Sequence, residues 1–280
     1  MQQETTITND FSSKGYLKAT GPVEVGMTND YMFRVVFQRN KYALKGLLSS
    51  VLRIPPSMIK ELKITNEIPL GVSIDSKEYR MDITLTMNDD SLIDLEMQVA
   101  NYNNWQYRSL SYLCREYDNL DHGDDYEKGP ASYQIGFLDF TLFEDHPELC
   151  ATYQMRNSKD NYLYTDKFNL IVVELNNEEL ATEEDITSGI KDWVHLFKSK
   201  TWEELKMVAQ NNNYMASTVE SMYLSSSDYN IRKVARERED YLRLQASKDR
   251  KIAELTGQNA TLTDENARLR KLLEDNGIKP

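Results

Sequence analysis

The chain has 280 residues, 40% of them hydrophobic, and its 45 acidic against 33 basic side chains leave a formal net charge of −12 at pH 7. That length accommodates one core of about 150 residues plus additions, and that charge argues against tight, indiscriminate binding to phosphate, which is a property of Lys and Arg. Two cysteines without paired spacing, Cys114 and Cys150, suggest neither a disulfide framework nor a zinc site; no apolar run approaches the ~18 residues of a membrane span and the polar N-terminus lacks an apolar secretion segment, so a cytoplasmic chain with no membrane partner is expected.

Residues 1–26 are polar and contain Gly15, Gly21, Pro22 and Gly26, the composition of a flexible N-terminal arm. A helix is expected from about Thr28 to Leu52, with Thr28 or Asn29 as N-cap and Asp30 in the first turn, where the helix dipole favours a carboxylate. Arg34, Arg39, Lys41, Lys45, Arg53, Lys60 and Lys63 cluster in this helix and the segment after it. They form either a surface for DNA or a solvated helix face. Glu67 follows in the run Thr65-Asn-Glu-Ile-Pro.

The most informative stretch is 79–98. Ile83, Leu85 and Met87 alternate with Asp82, Thr84 and Thr86, and Ile93, Leu95, Met97 and Val99 alternate with Asp94, Glu96 and Gln98. Period-two geometry puts Asp94, Glu96 and Gln98 together on one polar edge and Asp82 on another. The connector Asn88-Asp89-Asp90-Ser91 has turn chemistry, so the strands are expected to be antiparallel neighbours whose carboxylates converge. Such carboxylates suit a hard divalent cation: Asp82 and Glu96 would hold Mg2+ (or Mn2+ or Ca2+), with Gln98 orienting water or phosphate. The competing reading is a solvated hairpin face in an acid-rich chain.

Asn103 to Leu120 has helical spacing, with Leu110, Leu113 and Tyr117 on one side and Arg108, Tyr112 and Arg115 on another. An Arg and a Tyr one turn apart, just after the acidic strand, are placed to hold a phosphate or its transition-state charge; otherwise they are an exposed Arg and a packing Tyr. Tyr133–Phe140 and Phe168–Leu175 read as further strands, the second carrying Glu174 as either a core-edge acid or a site neighbour. Helices are expected around Asp185–Lys198, Thr201–Asn211 and Met215–Leu224. Trp193, Phe197 and Trp202 read as packing residues, and Thr201-Trp-Glu-Glu has the form of a capping box. The histidines, His122, His146 and His195, show no nucleophile–base grouping.

The last 50 residues carry a heptad pattern. Leu255, Leu262 and Leu269 fall at d with Asn259 and Asn266 at a, after Ile231 and Val234 in the first heptad. Asn at a specifies register and favours a two-stranded parallel assembly, so a homodimer through a C-terminal coiled coil is expected; the alternative is one amphipathic helix folded back on the core. A basic-zipper reading fails, because Ala235-Arg-Glu-Arg-Glu-Asp-Tyr mixes signs.

Four motifs in order, Met27-Thr-Asn-Asp-Tyr-Met-Phe-Arg-Val-Val-Phe37, Tyr79-Arg-Met-Asp-Ile83, Asp94-Leu-Glu-Met-Gln98 and Tyr107-Arg-Ser-Leu-Ser-Tyr112, resemble the Rpn-type recombination-promoting nucleases, also described as PD-(D/E)xK nuclease family transposases. The resemblance covers roughly residues 27–240. It implies a restriction-endonuclease-like α/β core, with a mixed sheet flanked by helices, that cuts DNA with a divalent metal. It further implies that Asp82 is the first acidic position, Glu96 the second, and Gln98 the position where the superfamily often has Lys. Arg108 and Tyr112 would contact phosphate, and Asp30 is a secondary candidate, since an acid from the first helix approaches the site in this core. Met81 stands where the superfamily name has Pro, and Gln98 lacks the charge of Lys, which points to low intrinsic turnover. The expected organisation is an arm over 1–26, a nuclease-like domain over 27–178, a helical extension over 179–228 and a coiled-coil helix over 229–276.

Overall fold

The computed structural model describes residues 15–72, 82–118, 129–210 and 212–277. Met81 and His122 lie outside them, as does most of the expected arm. From Gly15 onward the arm is part of the fold: Tyr16 and Val25 are buried, and Pro22 forms a β-bridge to Thr201. Two apolar side chains that reach a core outweigh the local glycine content.

Helix α1 (Asp30–Arg39) starts at Asn29, whose side chain accepts from the Met32 amide at 2.9 Å. The single helix expected to Leu52 is two, because Asn40 leaves the helical region (φ −122°, ψ 83°) and its side chain caps α2 (Lys41–Leu52) by accepting from the Ala43 amide at 2.9 Å. Six strands follow: β1 (Leu62–Ile64), β2 (Ile83–Met87), β3 (Leu92–Gln98), β4 (Ser132–Leu138), β5 (Cys150–Gln154) and β6 (Phe168–Glu174). Helix α3 (Trp105–Tyr117) lies between β3 and β4 in sequence. After the sheet come α4 (Glu183–Ser188), α5 (Ile190–Lys198), α6 (Trp202–Ala209), α7 (Asn213–Ser227) and α8 (Tyr229–Asp275). Gly189, at φ 80°, separates α4 from α5 where one helix was expected. Thr182–Asp185 and the expected Thr201–Glu204 both form capping boxes.

The sheet has the order β1-β2-β3-β4-β6-β5. β1, β2 and β3 pair antiparallel, β3, β4 and β6 run parallel, and β5 pairs antiparallel with β6. This is the mixed α/β sheet flanked by helices expected of a restriction-endonuclease-like core. One face presents Ile83, Leu85, Ile93, Leu95, Met97, Ile135, Phe137, Ile171 and Val173, all buried in the main core. Phe33 lies 5.5 Å from the Phe137 ring, and Phe197 lies 5.4 Å from it. Trp193 is fully buried and Trp202 nearly so, as their reading as packing residues required. The helices after residue 178 share this core instead of forming a separate layer, since Ile190, Leu205, Val219 and Met222 belong to the same cluster.

The chain divides into two compact units, 1–236 and 237–280. The first turns of α8 belong to the first unit and bury Ile231, Val234 and Ala235. Those two expected heptad positions, Ile231 and Val234, therefore pack in the chain's own core. Within the second unit Leu255, Leu262 and Leu269 are exposed at 46%, 55% and 50% along a continuous helix.

Candidate functional site

The opposite face of the sheet is polar at its centre. β3 turns Asp94, Glu96 and Gln98 away from Ile93, Leu95 and Met97, as strand alternation requires. β2 pairs with it through Ile83–Leu95 and Thr84–Asp94. Continuing that ladder one step sets Asp82 across from Glu96, so the two candidate metal ligands share one end of one face. Asp82 is held by its backbone: its carbonyl accepts from Arg34 Nη1 and from Asn66 Nδ2, the latter at 3.0 Å.

α3 crosses over this face because β4 makes room for it. A Cβ at Gly136 would lie 2.1 Å from the Trp105 ring, so only glycine admits the indole there. The buried side of α3 is Trp105, Ser109 and Leu113, while Leu110 and Tyr117 of the expected apolar side are 48% and 41% exposed. The helix begins at Trp105, and the large indole in the Gly136 notch sets its rotation. One turn on, Arg108 Nη2 donates to Glu96 Oε1 and to Gln98 Oε1, both at 2.6 Å, and the guanidinium lies 5.2 Å from the Trp105 ring centre. Gln98 Nε2 donates to the Ala100 carbonyl at 2.6 Å, which turns its oxygen toward Arg108.

Burial dominates the electrostatics. It pushes Glu96 from its ordinary 4.5 up to about 7, with Asp82 and Asp30 adding to the rise and Arg108 opposing it. Asp94 is pushed well above the carboxylate range by burial, then by Asp82, Glu96 and Glu116, and it shares a side-chain hydrogen bond with Asp82. Among the described residues, Glu96 Oε2, Asp94 Oδ1, Arg108 Nε and both amide atoms of Gln134 are buried without a hydrogen-bond partner.

The structure thus brings Asp82, Glu96, Gln98 and Arg108 together. Asp30 is buried at the start of α1, near enough for its charge to act on Glu96. Tyr112 is half-buried one turn beyond Arg108, and Arg115 is exposed with its guanidinium 5.9 Å from the Tyr112 ring centre. Glu67 is exposed in the loop after β1. Glu174 is a core-edge acid: it accepts from the Leu142 amide at 3.0 Å and from Asn177, which fixes the turn after β4.

The expected basic surface loses two members. Arg34 is fully buried, donating to Gln38 at 2.8 Å, to Asn66 Oδ1 at 2.9 Å and to the carbonyls of Asn66 and Asp82. Arg53 pairs with Glu184 at 2.8 Å and Asp185 at 2.9 Å. Arg39, Lys41, Lys60 and Lys63 remain exposed. An apolar cleft of about 330 Å³ beyond Trp105, lined by Leu113, Phe143, Met155 and Leu170 among others, has no charged lining residue and so is not a phosphate seat.

Among the described residues no group of three or more His, Cys, Asp or Glu side chains is placed to hold a metal. A pair of carboxylates is still a fit for Mg2+, which keeps several waters and commonly takes one or two carboxylates. The buried, unpartnered Glu96 Oε2 supports that fit. Sequence reasoning put Asp94 on the right edge but gave it no role, and it passed over Gln134. The parity of Ser132-Tyr-Gln-Ile-Gly-Phe-Leu, which sets a glutamine two residues from the glycine under Trp105, is the signal that would have found it.

A family model described as PD-(D/E)XK nuclease family transposase matches residues 27–251. No curated protein and no solved structure matches the chain.

Proposed function

We propose, from the premise that this chain belongs to the PD-(D/E)XK nuclease family of transposases, that it is a metal-dependent DNA endonuclease hydrolysing phosphodiester bonds in recombining, mobile or foreign DNA. The observation that carries this reading is the buried Asp82 beside the half-buried Glu96, whose carboxylate is bridged to Gln98 by Arg108. Asp82 and Glu96 would hold Mg2+, or Mn2+ or Ca2+. When bound, such an ion supplies a Lewis acid for the phosphate and lowers the pKa of water beside it.

The chain's own groups do the rest. Gln98 positions water through an amide oxygen already oriented by Arg108 and Ala100. Arg108 brings to this place the positive charge that a Lys at position 98 would carry, now from α3 and in a planar fork suited to phosphate oxygens. Tyr112 stands beside it on the same helix as a second phosphate contact. The site is closed from below by the main core and from the side by Trp105. We place two protomers in a homodimer through the exposed leucines of α8, with Asn259 and Asn266 setting a parallel register. Two active sites would then serve two strands. We take the protein to act in the cytoplasm; no described helix is long and apolar enough to cross a membrane.

The net charge of −12 and the absent Lys favour a second reading, a dimeric DNA- or protein-binding module that keeps the fold without useful turnover. Supercoiled plasmid incubated with Mg2+, Mn2+, Ca2+ or EDTA separates the two. Metal-dependent nicking by the native chain that disappears in Glu96→Ala supports the endonuclease. No cleavage under any condition, with DNA binding unaffected by the substitution, overturns it.

A further inference from the structure

β3 and β4 are parallel neighbours, and their register sets Asp94 directly against Gln134 and Glu96 against Gly136. Paired positions in adjacent strands project to the same face, so Gln134 joins Asp94 and Glu96 under α3. Gln134 is fully buried, yet among the described residues neither its amide nitrogen nor its oxygen has a protein partner. Asp94 is 3% exposed and keeps Oδ1 unpartnered, and Ser132 Oγ, two residues before Gln134 on the same face, is buried and unpartnered as well.

Buried amides are almost always satisfied, by protein or by ordered water. An apolar residue of Gln134's size would avoid the cost of burying an amide at this position, so its two unpaired ends require an explanation from what binds there. The neighbouring pair Asp82–Glu96 provides one. A divalent cation on two carboxylates keeps most of its waters, and waters in a buried place need two to four polar partners each.

We propose that Asp94 and Gln134 form the outer shell of the cation site, holding the coordinated waters of a divalent ion carried by Asp82 and Glu96. This rests on the endonuclease reading and extends it to two positioning residues. Asp94 Oδ1 accepts from a bound water, and the Gln134 amide donates to and accepts from the same water set. Outer-shell partners of this kind typically change metal affinity by about 10–100-fold when removed.

The test uses the full chain and Mn2+ as probe. Calorimetric titration gives affinity, water-proton relaxation gives the number of waters on the bound ion, and urea unfolding in EDTA gives metal-free stability. Gln134→Leu is expected to weaken Mn2+ binding about 10-fold or more and to change the relaxation enhancement, while its metal-free stability stays equal to the native chain's or rises. Asp94→Asn, which keeps the shape, is expected to weaken binding likewise, and Gln134→Glu to restore part of what Gln134→Leu loses. Native Mn2+ affinity and relaxation in both Gln134→Leu and Asp94→Asn would overturn the proposal. So would a Gln134→Leu chain that is destabilised in EDTA, since the amide would then be serving the fold. A native chain that binds no Mn2+, indistinguishable from Asp82→Ala, would overturn the endonuclease reading along with this one.

Discussion

Glu96→Gln removes a site carboxylate that burial pushes toward neutrality. Burial lifts Glu96 from 4.5 to about 7. Between those values the folded chain binds a proton that the unfolded chain releases, so this group's contribution to stability is fully present at low pH and is lost as pH rises through about 7. Linkage over that interval gives a loss of about 2 kcal/mol between roughly pH 5.5 and 8.5. At roughly 2–4 °C per kcal/mol for a domain of this size, the melting temperature should fall by about 4–8 °C. The attraction of Arg108 is already contained in the value near 7, so no separate credit is added. Thermal unfolding of both proteins in EDTA across that pH range is the assay. The native chain should show the decline, with Asp94 contributing in the same direction. Glu96→Gln should show only the remainder. If the two profiles run parallel, Glu96 is not titrating where its burial places it, and the desolvated site described above is wrong.

Cation binding should act on the same proton: in saturating Mg2+, at about 100 times Kd, the native chain should gain roughly 2.7 kcal/mol, and calorimetry on Asp82→Ala should show neither heat nor stabilisation. Gly136→Ala pushes a methyl into the Trp105 ring and should cost about 1–3 kcal/mol by overpacking; urea unfolding reads the cost, and plasmid cleavage should fall with it because Arg108 rides on the same helix. Arg34→Met should cost about 1–3 kcal/mol for each buried acceptor it leaves unsatisfied, while the slope of DNA affinity against salt stays unchanged, since a buried guanidinium neutralises no phosphate. Leu262→Glu should convert a dimer to a monomer by sedimentation equilibrium without lowering the melting temperature of the first unit.

Much of the fold was legible because alternation and capping are local. Ile83–Met87 and Leu92–Gln98 announce their two faces by parity, Asn29 its cap, and Thr201–Glu204 its box. The short strands β1 and β5 were not read: three residues of β1 carry too little periodicity, and exposed Thr152 and Tyr153 in β5 break the apolar pattern. Asn40 was passed over as an ordinary helical residue because its side chain caps α2 and also donates to Ser217 and Ser221, residues 177 and 181 positions away. The same holds for Arg34. Its charge reads as surface, and only the long-range convergence of Asn66 and the Asp82 carbonyl makes it a buried tie. Within the site, Asp82, Glu96, Gln98 and Arg108 followed from motif and spacing. Gln134 did not, because its meaning depends on which strand lies beside β3, and strand order is a property of the whole sheet.

Arg34 and Asn66 grip the main chain of Asp82 and leave the carboxylate to the other face. Scaffold and reagent are therefore specified by different residues. On the proposed reading, Glu96→Gln would remove the carboxylate and keep an acceptor for Arg108, since among the described residues no protein group bonds the other oxygen, Oε2. The converse also follows: substitutions at Arg34 or Asn66, neither of which belongs to the acidic motif, would silence the protein by letting its backbone drift. The acidic motif alone would miss the second kind of variant, because Arg34 and Asn66 lie outside it.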